Sequence, residues 1–234
     1  ALTGDRFFRP MWHSNEMAEY TGCVMAIDPS GRGSDETGYA IVKILAGNLY
    51  LVAAGGLSGG YSPETLEALA RLAKMNQVKE IIIEANFGDG MYSQLLKPVL
   101  GRVYPCTVNE VKHSAQKELR IIDVLEPVLS SHRLIVDQAL IQRDFDTAPD
   151  IKYSLFYQMT RITRDRGALV HDDRLDALAM AVAYWVEHMS RDNNKAAAQI
   201  KSQALDAELK KFTGNVLGGP PKRKGWMDWN QGVR

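Results

Sequence analysis

The sequence feature that most constrains the fold is a short apolar segment that follows a helical one. "VKEIIIEAN" at residues 78–86 has the continuous apolar character of a strand that is buried on both faces. The preceding "SPETLEALARLAKM" at 62–75 has the apolar spacing of a helix, and "CVMAIDPSG" at 23–31 supplies an earlier strand. Strand, helix and strand in this order predict a right-handed crossover between two parallel strands.

The rest of the chain continues this alternation. A hairpin is predicted where "TGYAIVKIL" and "NLYLVAAGG" are joined by Ala46-Gly47-Asn48. After residue 90 the patterns predict a short helix, a strand in "RVYPCTVNEV", a long helix in "SAQKELRIIDVLEPVLSSHRL", a brief strand at 134–137 and helices near 138–145 and 150–162. The fold class is therefore α/β, with a central mixed sheet flanked by helices.

Length and charge divide the chain into three predicted regions. The 234 residues have zero formal net charge, yet from residue 191 onward nine Lys or Arg stand against four Asp or Glu. We expect a lead-in or linker at 1–21, a mildly acidic globular domain at 22–190, and a polar helix with a flexible basic tail at 191–234. No leader peptide or apolar stretch of ~20 residues is apparent, which predicts a protein that is neither secreted nor bound to a membrane.

The helix predicted in "GALVHDDRLDALAMAVAYWVEH", residues 167–188, begins with unusual negative charge. Asp172, Asp173 and Asp176 fall on one arc beside its apolar face. Aspartates at a helix start commonly cap free N–H groups, which explains one or two of them. Asp176 lies a turn inside, where a buried carboxylate needs a partner, and a cation would serve the whole group.

Two more carboxylates end predicted strands. Asp28 closes the first strand and Glu84 closes the strand at 78–86, so parallel pairing would bring both side chains to the same edge of the sheet. Each one alone is consistent with an ordinary turn or cap. Together with the acidic helix start they form the oxygen ligand set of a site for two divalent ions, Mg²⁺ or Mn²⁺, which hydrolyses phosphodiesters.

Three motifs in order resemble one family of nucleases. "AIDPSGRGSDETGYAIVK", "IIIEANFGDGMY" and "HDDRLDALA" are similar to the C-terminal nuclease domain of phage terminase large subunits, particularly those of short-tailed phages. The similarity runs from about Cys23 to Val186. It implies an RNase H-like fold and a divalent-metal-dependent endonuclease that cuts concatemeric viral DNA during genome packaging in the host cytoplasm.

The resemblance also assigns the metal ligands. Carried over by motif, they are Asp28, Glu84 and the pair Asp172 and Asp173, with Asp176 as a further candidate. We rank Asp172 and Asp173 above Asp176, because the helix start points most directly at the edge of the sheet. The predicted catalytic residues are Asp28, Glu84, Asp172 and Asp173.

The family's partners follow from the same resemblance. Terminase large subunits also have an N-terminal ATPase, but no G-x-x-x-x-G-K-[ST] motif occurs in this sequence. We therefore expect a separate ATPase domain of the same protein as a partner, together with double-stranded DNA, the terminase small subunit and the capsid portal. The basic, aromatic end of the tail is the candidate for docking on the portal.

Other residues are candidates for binding DNA or for supporting the metal site. Phosphate contacts are expected from Lys112, Lys117 and Arg120, although such a run more commonly forms a solvated face, and from the weaker candidates Arg32 and Arg133. The polar neighbours of the acidic motifs have ordinary turn or cap roles, or else orient the ligands. They are Asn86, Asp89 and His171.

Three alternatives remain open at this stage. A resolvase-like or transposase-like nuclease shares the same carboxylate logic, and a docking module for portal and DNA could retain only a weak nuclease site. The glycine-rich segment at 28–38 could also cradle phosphate as in sugar-kinase and actin-like ATPases, but those folds need a second such loop, and no second copy is visible.

Overall fold

A computed structural model of the chain describes residues 7–10, 18–30, 35–85 and 90–216, with only the backbone for residue 193 and residues 211–216. Its strands are β1 Gly22–Asp28, β2 Thr37–Leu45, β3 Asn48–Leu57, β4 Glu80–Glu84, β5 Thr107–Val111 and β6 Leu134–Val136. Its helices are α1 Pro63–Asn76, α2 Met91–Val103, α3 Lys117–Ser130, α4 Gln138–Thr147, α5 Leu155–Arg161 and α6 Asp173–Val216, with a short 3₁₀ helix at Ile151–Tyr153.

The six strands form one mixed sheet in the order β5-β4-β1-β2-β3-β6. The β1–β4, β4–β5 and β3–β6 pairs are parallel, whereas β1–β2 and β2–β3 are antiparallel. The predicted crossover is therefore confirmed, because α1 connects the hairpin to β4, and β4 lies parallel beside β1. The predicted α/β class with a mixed central sheet is confirmed as well.

The two faces of β1 are covered by different helices. Met25 and Ile27 belong to a buried cluster with apolar residues of α1 and α2. The opposite face includes Gly22, where an added Cβ would lie 2.3 Å from the Trp185 ring of α6. Since alternate residues of a strand share a face, α6 covers the side of the sheet on which Asp28 also lies.

Most of the apolar stripe predicted for the late helix is buried, but Val186, its last member, is 42% exposed. Leu175, Leu178 and Val182 are fully buried, and each contributes about 1.5–3 kcal/mol by leaving water. At the far end of this contact, the indole Nε1 of Trp185 donates a 3.0 Å hydrogen bond to the Val42 carbonyl. This packing fixes where the acidic first turn of α6 lies.

Several predicted boundaries differ from the observed ones. The long helix predicted at 114–134 occupies only Lys117–Ser130, and the strand predicted within 102–111 begins at Thr107. The polar helix predicted after residue 190 is not separate, since α6 runs without interruption to Val216. No glycine or proline stands between residues 168 and 213 to end it.

The chain divides into two compact units, residues 1–188 and residues 189–234. The predicted linker at 1–21 and the tail fall partly outside the described residues, so their roles stay predictions. Among the helices that are described, none combines the length and the apolarity that crossing a membrane requires.

Candidate metal centre

The parallel pairing of β1 with β4 places two carboxylates side by side. Ile27 is the register partner of Ile83, so Asp28 and Glu84 follow as neighbours at the carboxyl ends of the two strands. The residues are only 6% and 7% exposed, respectively. As the sequence predicts, the two side chains lie close together where β1 and β4 end.

The third member of this group comes from the first turns of α6. Asp176 is fully buried, and its carboxylate stands with those of Asp28 and Glu84, one oxygen from each lying within 4.8 Å of the others. The structure thus brings Asp176 into the group, although the sequence ranked it below Asp172 and Asp173. The cause is the rotation of α6, which directs position 176 toward the sheet.

Two basic side chains of α3 enter the same cluster. The Lys117 ammonium lies 3.1 Å from Asp28 Oδ2, 2.9 Å from Asp172 Oδ1 and 3.2 Å from Asp176 Oδ2. Arg120 Nη2 lies 2.7 Å from Asp176 and 3.5 Å from Glu84 Oε1. These two residues were predicted to contact DNA phosphates, whereas here they pair with acids. Their role in DNA binding stays a prediction.

Burial and mutual repulsion disturb the ionisation of the cluster. Burial raises the pKa of Asp28 well above its ordinary value, against the attraction of Lys117, and repulsion from Asp176 and Glu84 raises it further. Burial and the Asp176 charge likewise raise the pKa of Glu84. For Lys117, burial alone would lower the pKa, but the surrounding carboxylates outweigh it and raise the pKa above its usual range.

The donor set fits a hard divalent cation. Asp28, Glu84 and Asp176 offer carboxylate oxygens, the ligands that Mg²⁺ and Mn²⁺ prefer. Both carboxylate oxygens of Asp176 lie 2.7 Å from Arg120 Nη2, and the contact with Oδ2 has the geometry of a hydrogen bond. Because the three carboxylates repel one another within a buried cluster, a divalent ion between them would offset that repulsion.

A second group of possible ligands adjoins the first. Asp35, His171 and Asp173 have ligand atoms within 4.8 Å of one another, and His171 Nδ1 lies 3.2 Å from Asp35 Oδ1. The Tyr153 ring stacks on the imidazole at 3.7 Å. Burial, with repulsion from Asp35, raises the pKa of Asp173 to about 7. Asp173 also repels Asp28, so the two groups interact electrostatically.

The remaining predicted residues are placed less centrally. The Arg133 guanidinium donates to the carbonyl of Gly47, in the turn between β2 and β3, at the opposite end of the sheet from Asp28. Lys112 directly follows β5, at the same end of the sheet as Glu84, and its role in DNA binding stays a prediction. Three candidates lie outside the described residues, namely Arg32, Asn86 and Asp89.

A buried ionic network beside the candidate metal ligands was not predicted from the sequence. Arg174, Glu36 and Asp144 are almost fully buried, and Arg174 contacts both acids, from which it is separated by 138 and 30 positions in sequence. One signal was visible: Arg174 directly precedes Leu175, the first residue of the apolar stripe of the helix. An arginine there needs buried acidic partners.

Comparisons with known proteins show which family this chain resembles. Residues 27–134 match the family described as "Terminase Bacteriophage T7, Ribonuclease H-like domain". The chain is similar to the terminase large subunit of Enterobacteria phage T3, with 43% identity over 214 residues. That alignment covers 89% of this chain but 36% of the T3 protein, so the chain spans about a third of this curated relative.

Solved structures share the fold. The nuclease domain of the large terminase subunit gp2 of bacterial virus Sf6 superposes with a TM-score of 0.52 at 16% identity, covering 70% of this chain and 89% of that one. A human cytomegalovirus terminase nuclease domain, Mn-soaked and inhibitor-bound, superposes with a TM-score of 0.51 at 16% identity, covering 70% and 82%. At this identity the two structures support the RNase H-like fold alone.

Proposed function

Since this chain contains the ribonuclease H-like domain of the phage terminase large-subunit family, we propose that it is a divalent-metal-dependent DNA endonuclease. Its task would be to cut concatemeric viral DNA during genome packaging. The observation that carries the proposal is the buried group Asp28, Glu84 and Asp176, assembled from two parallel strands and the start of a helix. Burial and mutual repulsion disfavour full ionisation of these carboxylates even beside Lys117 and Arg120, and a bound divalent ion would offset that repulsion.

Mg²⁺ or Mn²⁺ is the proposed ion, and Asp28, Glu84 and Asp176 are the proposed ligands of a first ion. Asp173 lies beside Asp35, and Asp172 contacts Lys117. These two aspartates would be ligands of a second ion. When bound, such ions activate water as a nucleophile and stabilise the leaving oxygen of the phosphodiester. Mn²⁺ is included in this proposal because the structurally similar cytomegalovirus nuclease domain was soaked with Mn.

The chain's own cations would hold and balance this chemistry. Lys117 and Arg120 are fixed between the carboxylates, so their positive charge is present before DNA arrives. They would offset part of the repulsion between the acids and a DNA phosphate that approaches them. Because the site lies at the edge of the sheet, the phosphate reaches it from the side on which β1 and β4 end.

The proposed partners follow from the family. They are double-stranded DNA, an ATPase domain of the same protein, the terminase small subunit and the capsid portal, which the C-terminal tail would contact. The proposed location is the cytoplasm of the infected host cell.

A cleavage assay with one substitution tests the proposal. Asp28→Asn preserves the shape of the side chain but removes the charge that a divalent ion requires, so incubation with plasmid and Mn²⁺ should give no cleavage above background. Asp146→Asn, on the exposed side of α4, is the matched control and should cleave as the wild type does. Undiminished cleavage by Asp28→Asn would exclude the site, and full wild-type cleavage in excess EDTA would exclude metal dependence.

A branched substrate separates this function from its nearest alternative. A resolvase-like enzyme would cut a four-way junction faster than linear duplex of the same sequence. The proposed packaging nuclease should cut both with comparable rates, because no element of the described structure suggests selection for branch points.

A further inference from the structure

The residue that follows Asp173 makes the most extensive buried ionic contact of this region. Arg174 is 2% exposed, and its guanidinium donates from Nε and Nη2 to Glu36 at 3.0 and 3.1 Å. Its Nη1 donates to Asp144 Oδ1 at 2.8 Å. A single side chain thus connects α6 to the residue preceding β2 and to α4 in a fork geometry that lysine cannot reproduce.

Asp144 extends this contact to the neighbouring helix. Its Oδ2 accepts hydrogen bonds from the Ser154 hydroxyl at 2.6 Å and from the Phe156 amide at 3.2 Å, at the start of α5. Gln158 of α5 accepts in turn from the Leu175 amide at 3.0 Å. The first turn of α6 is therefore fastened twice, once through the Arg174 side chain and once through the backbone of the next residue.

Two glycines make room for this arrangement. A Cβ on Gly38 of β2 would lie 2.3 Å from the Asp173 carbonyl oxygen, and a Cβ on Gly56 of β3 would lie 1.8 Å from Glu36 Oε2. The start of α6 and the Glu36 carboxylate thus pack directly against strand backbone. Gly38 is also the register partner of Asp28, so the clamped turn lies beside that ligand.

Stability alone does not account for a buried network of this kind. Well-packed apolar residues of similar volume are often equally or more stabilising than buried ion pairs, because the charges lose their hydration. What the fork does supply is a fixed direction and distance. The residues adjoining it in sequence are Asp173, next to Arg174, and Asp35, next to Glu36, both of which belong to the second group of possible ligands.

We propose that Arg174 is a positioning residue, whose buried fork with Glu36 and Asp144 holds the first turn of α6 so that Asp176 faces Asp28 and Asp173 stays beside Asp35. Arg174 contacts neither metal nor DNA in this role. The inference rests on the proposed function, since positioning matters to activity only if these acids bind metal. Its structural part, the rigidity of the turn, can be measured without metal.

Hydrogen–deuterium exchange on the metal-free protein tests the structural part. Arg174→Lys keeps the charge but loses the fork, so amides in residues 172–178 should exchange at least tenfold faster while those of β1 stay protected. Glu36→Gln, which keeps the size of the side chain, is the second variant and should give the same pattern to a smaller extent. Arg71→Lys, which alters an exposed pair on α1, is the matched control.

Metal titration tests the consequence for the site. Half-maximal plasmid cleavage by Arg174→Lys should need at least tenfold more Mn²⁺, with the KM for DNA unchanged. Unchanged exchange at 172–178 would overturn the proposal, and so would uniformly faster exchange across the sheet with an unchanged Mn²⁺ requirement, which indicates a purely structural role. A wild-type protein that neither binds Mn²⁺ nor cleaves DNA would refute the proposed function. The exchange data would still show whether Arg174 holds the first turn of α6.

Discussion

Alanine at position 38 should displace the acidic end of α6. The added Cβ would lie 2.3 Å from the Asp173 carbonyl oxygen, 2.5 Å from its carbonyl carbon and 2.9 Å from the Arg174 nitrogen. Ordinary van der Waals contact begins near 3.4 Å, so the closest approach is about 1.1 Å too short. All three atoms are backbone, so no side-chain rotation relieves the contact, and either the helix or β2 must move.

The size of this movement sets the expected loss of activity. A displacement of about 1 Å at reacting groups costs on the order of 10²-fold in rate. Gly38→Ala should therefore lower the rate of plasmid cleavage about a hundredfold. Overpacking of this kind costs roughly 1–3 kcal/mol of stability, so the protein should still fold.

Gly101→Ala is the matched control for this experiment. Nothing lies within 4 Å of a Cβ at Gly101, which sits in the last turns of α2. Alanine there should add about 0.5–1 kcal/mol to stability and leave cleavage unchanged. Rates should be compared below the midpoint of thermal unfolding, and a Gly38→Ala protein that cleaves at the wild-type rate would refute the proposed contact between β2 and the site.

Three further predictions concern charge. In EDTA the melting temperature should decrease as the pH is raised from about 4 to about 7. The pKa values of Asp173 and Asp28 are raised in the folded state, which therefore holds protons that the unfolded state has already released in this range. Asp173→Asn should weaken this pH dependence. Lys117→Gln removes the ammonium from three carboxylates, so calorimetry should give a lower melting temperature without metal and tighter Mn²⁺ binding. Titration calorimetry should show that Asp176→Asn reduces Mn²⁺ binding more than Asp172→Asn does. Asp176 has a carboxylate oxygen close to those of Asp28 and Glu84, whereas Asp172 does not belong to that group.

The strand-borne half of the site was predictable from sequence, because it depends on local order. An apolar run that ends in an acidic residue predicts a buried strand, and a crossover helix makes two such strands parallel. Asp28 and Glu84 therefore lie at the same end of two neighbouring strands. The helix-borne half was not. Periodicity places Asp172, Asp173 and Asp176 on one arc, but which acid faces the strands depends on the rotation of α6 about its axis.

That rotation is set by contacts between residues far apart in sequence. Trp185 anchors one end of the packed stretch on the Val42 carbonyl, and Arg174 anchors the other on Glu36. The pairing of Lys117 with Asp28 and Asp172 is equally non-local, across 89 and 55 positions. A basic run at the start of a helix cannot reveal such partners, so the sequence favoured DNA contacts instead.

Charge balance links metal binding to protons at this site. Asp28, Glu84, Asp172, Asp173 and Asp176 face two cations, Lys117 and Arg120, so full ionisation would leave a net charge of about −3 in a largely buried cluster. Without metal, burial and repulsion favour protonation of Asp28 and Asp173. A divalent ion bound here would need the ionised carboxylates, so its uptake would displace those protons, and its affinity would rise with pH through the range in which Asp173 titrates. The built-in cations therefore moderate the site but do not neutralise it, which leaves a charge that divalent ions are suited to balance.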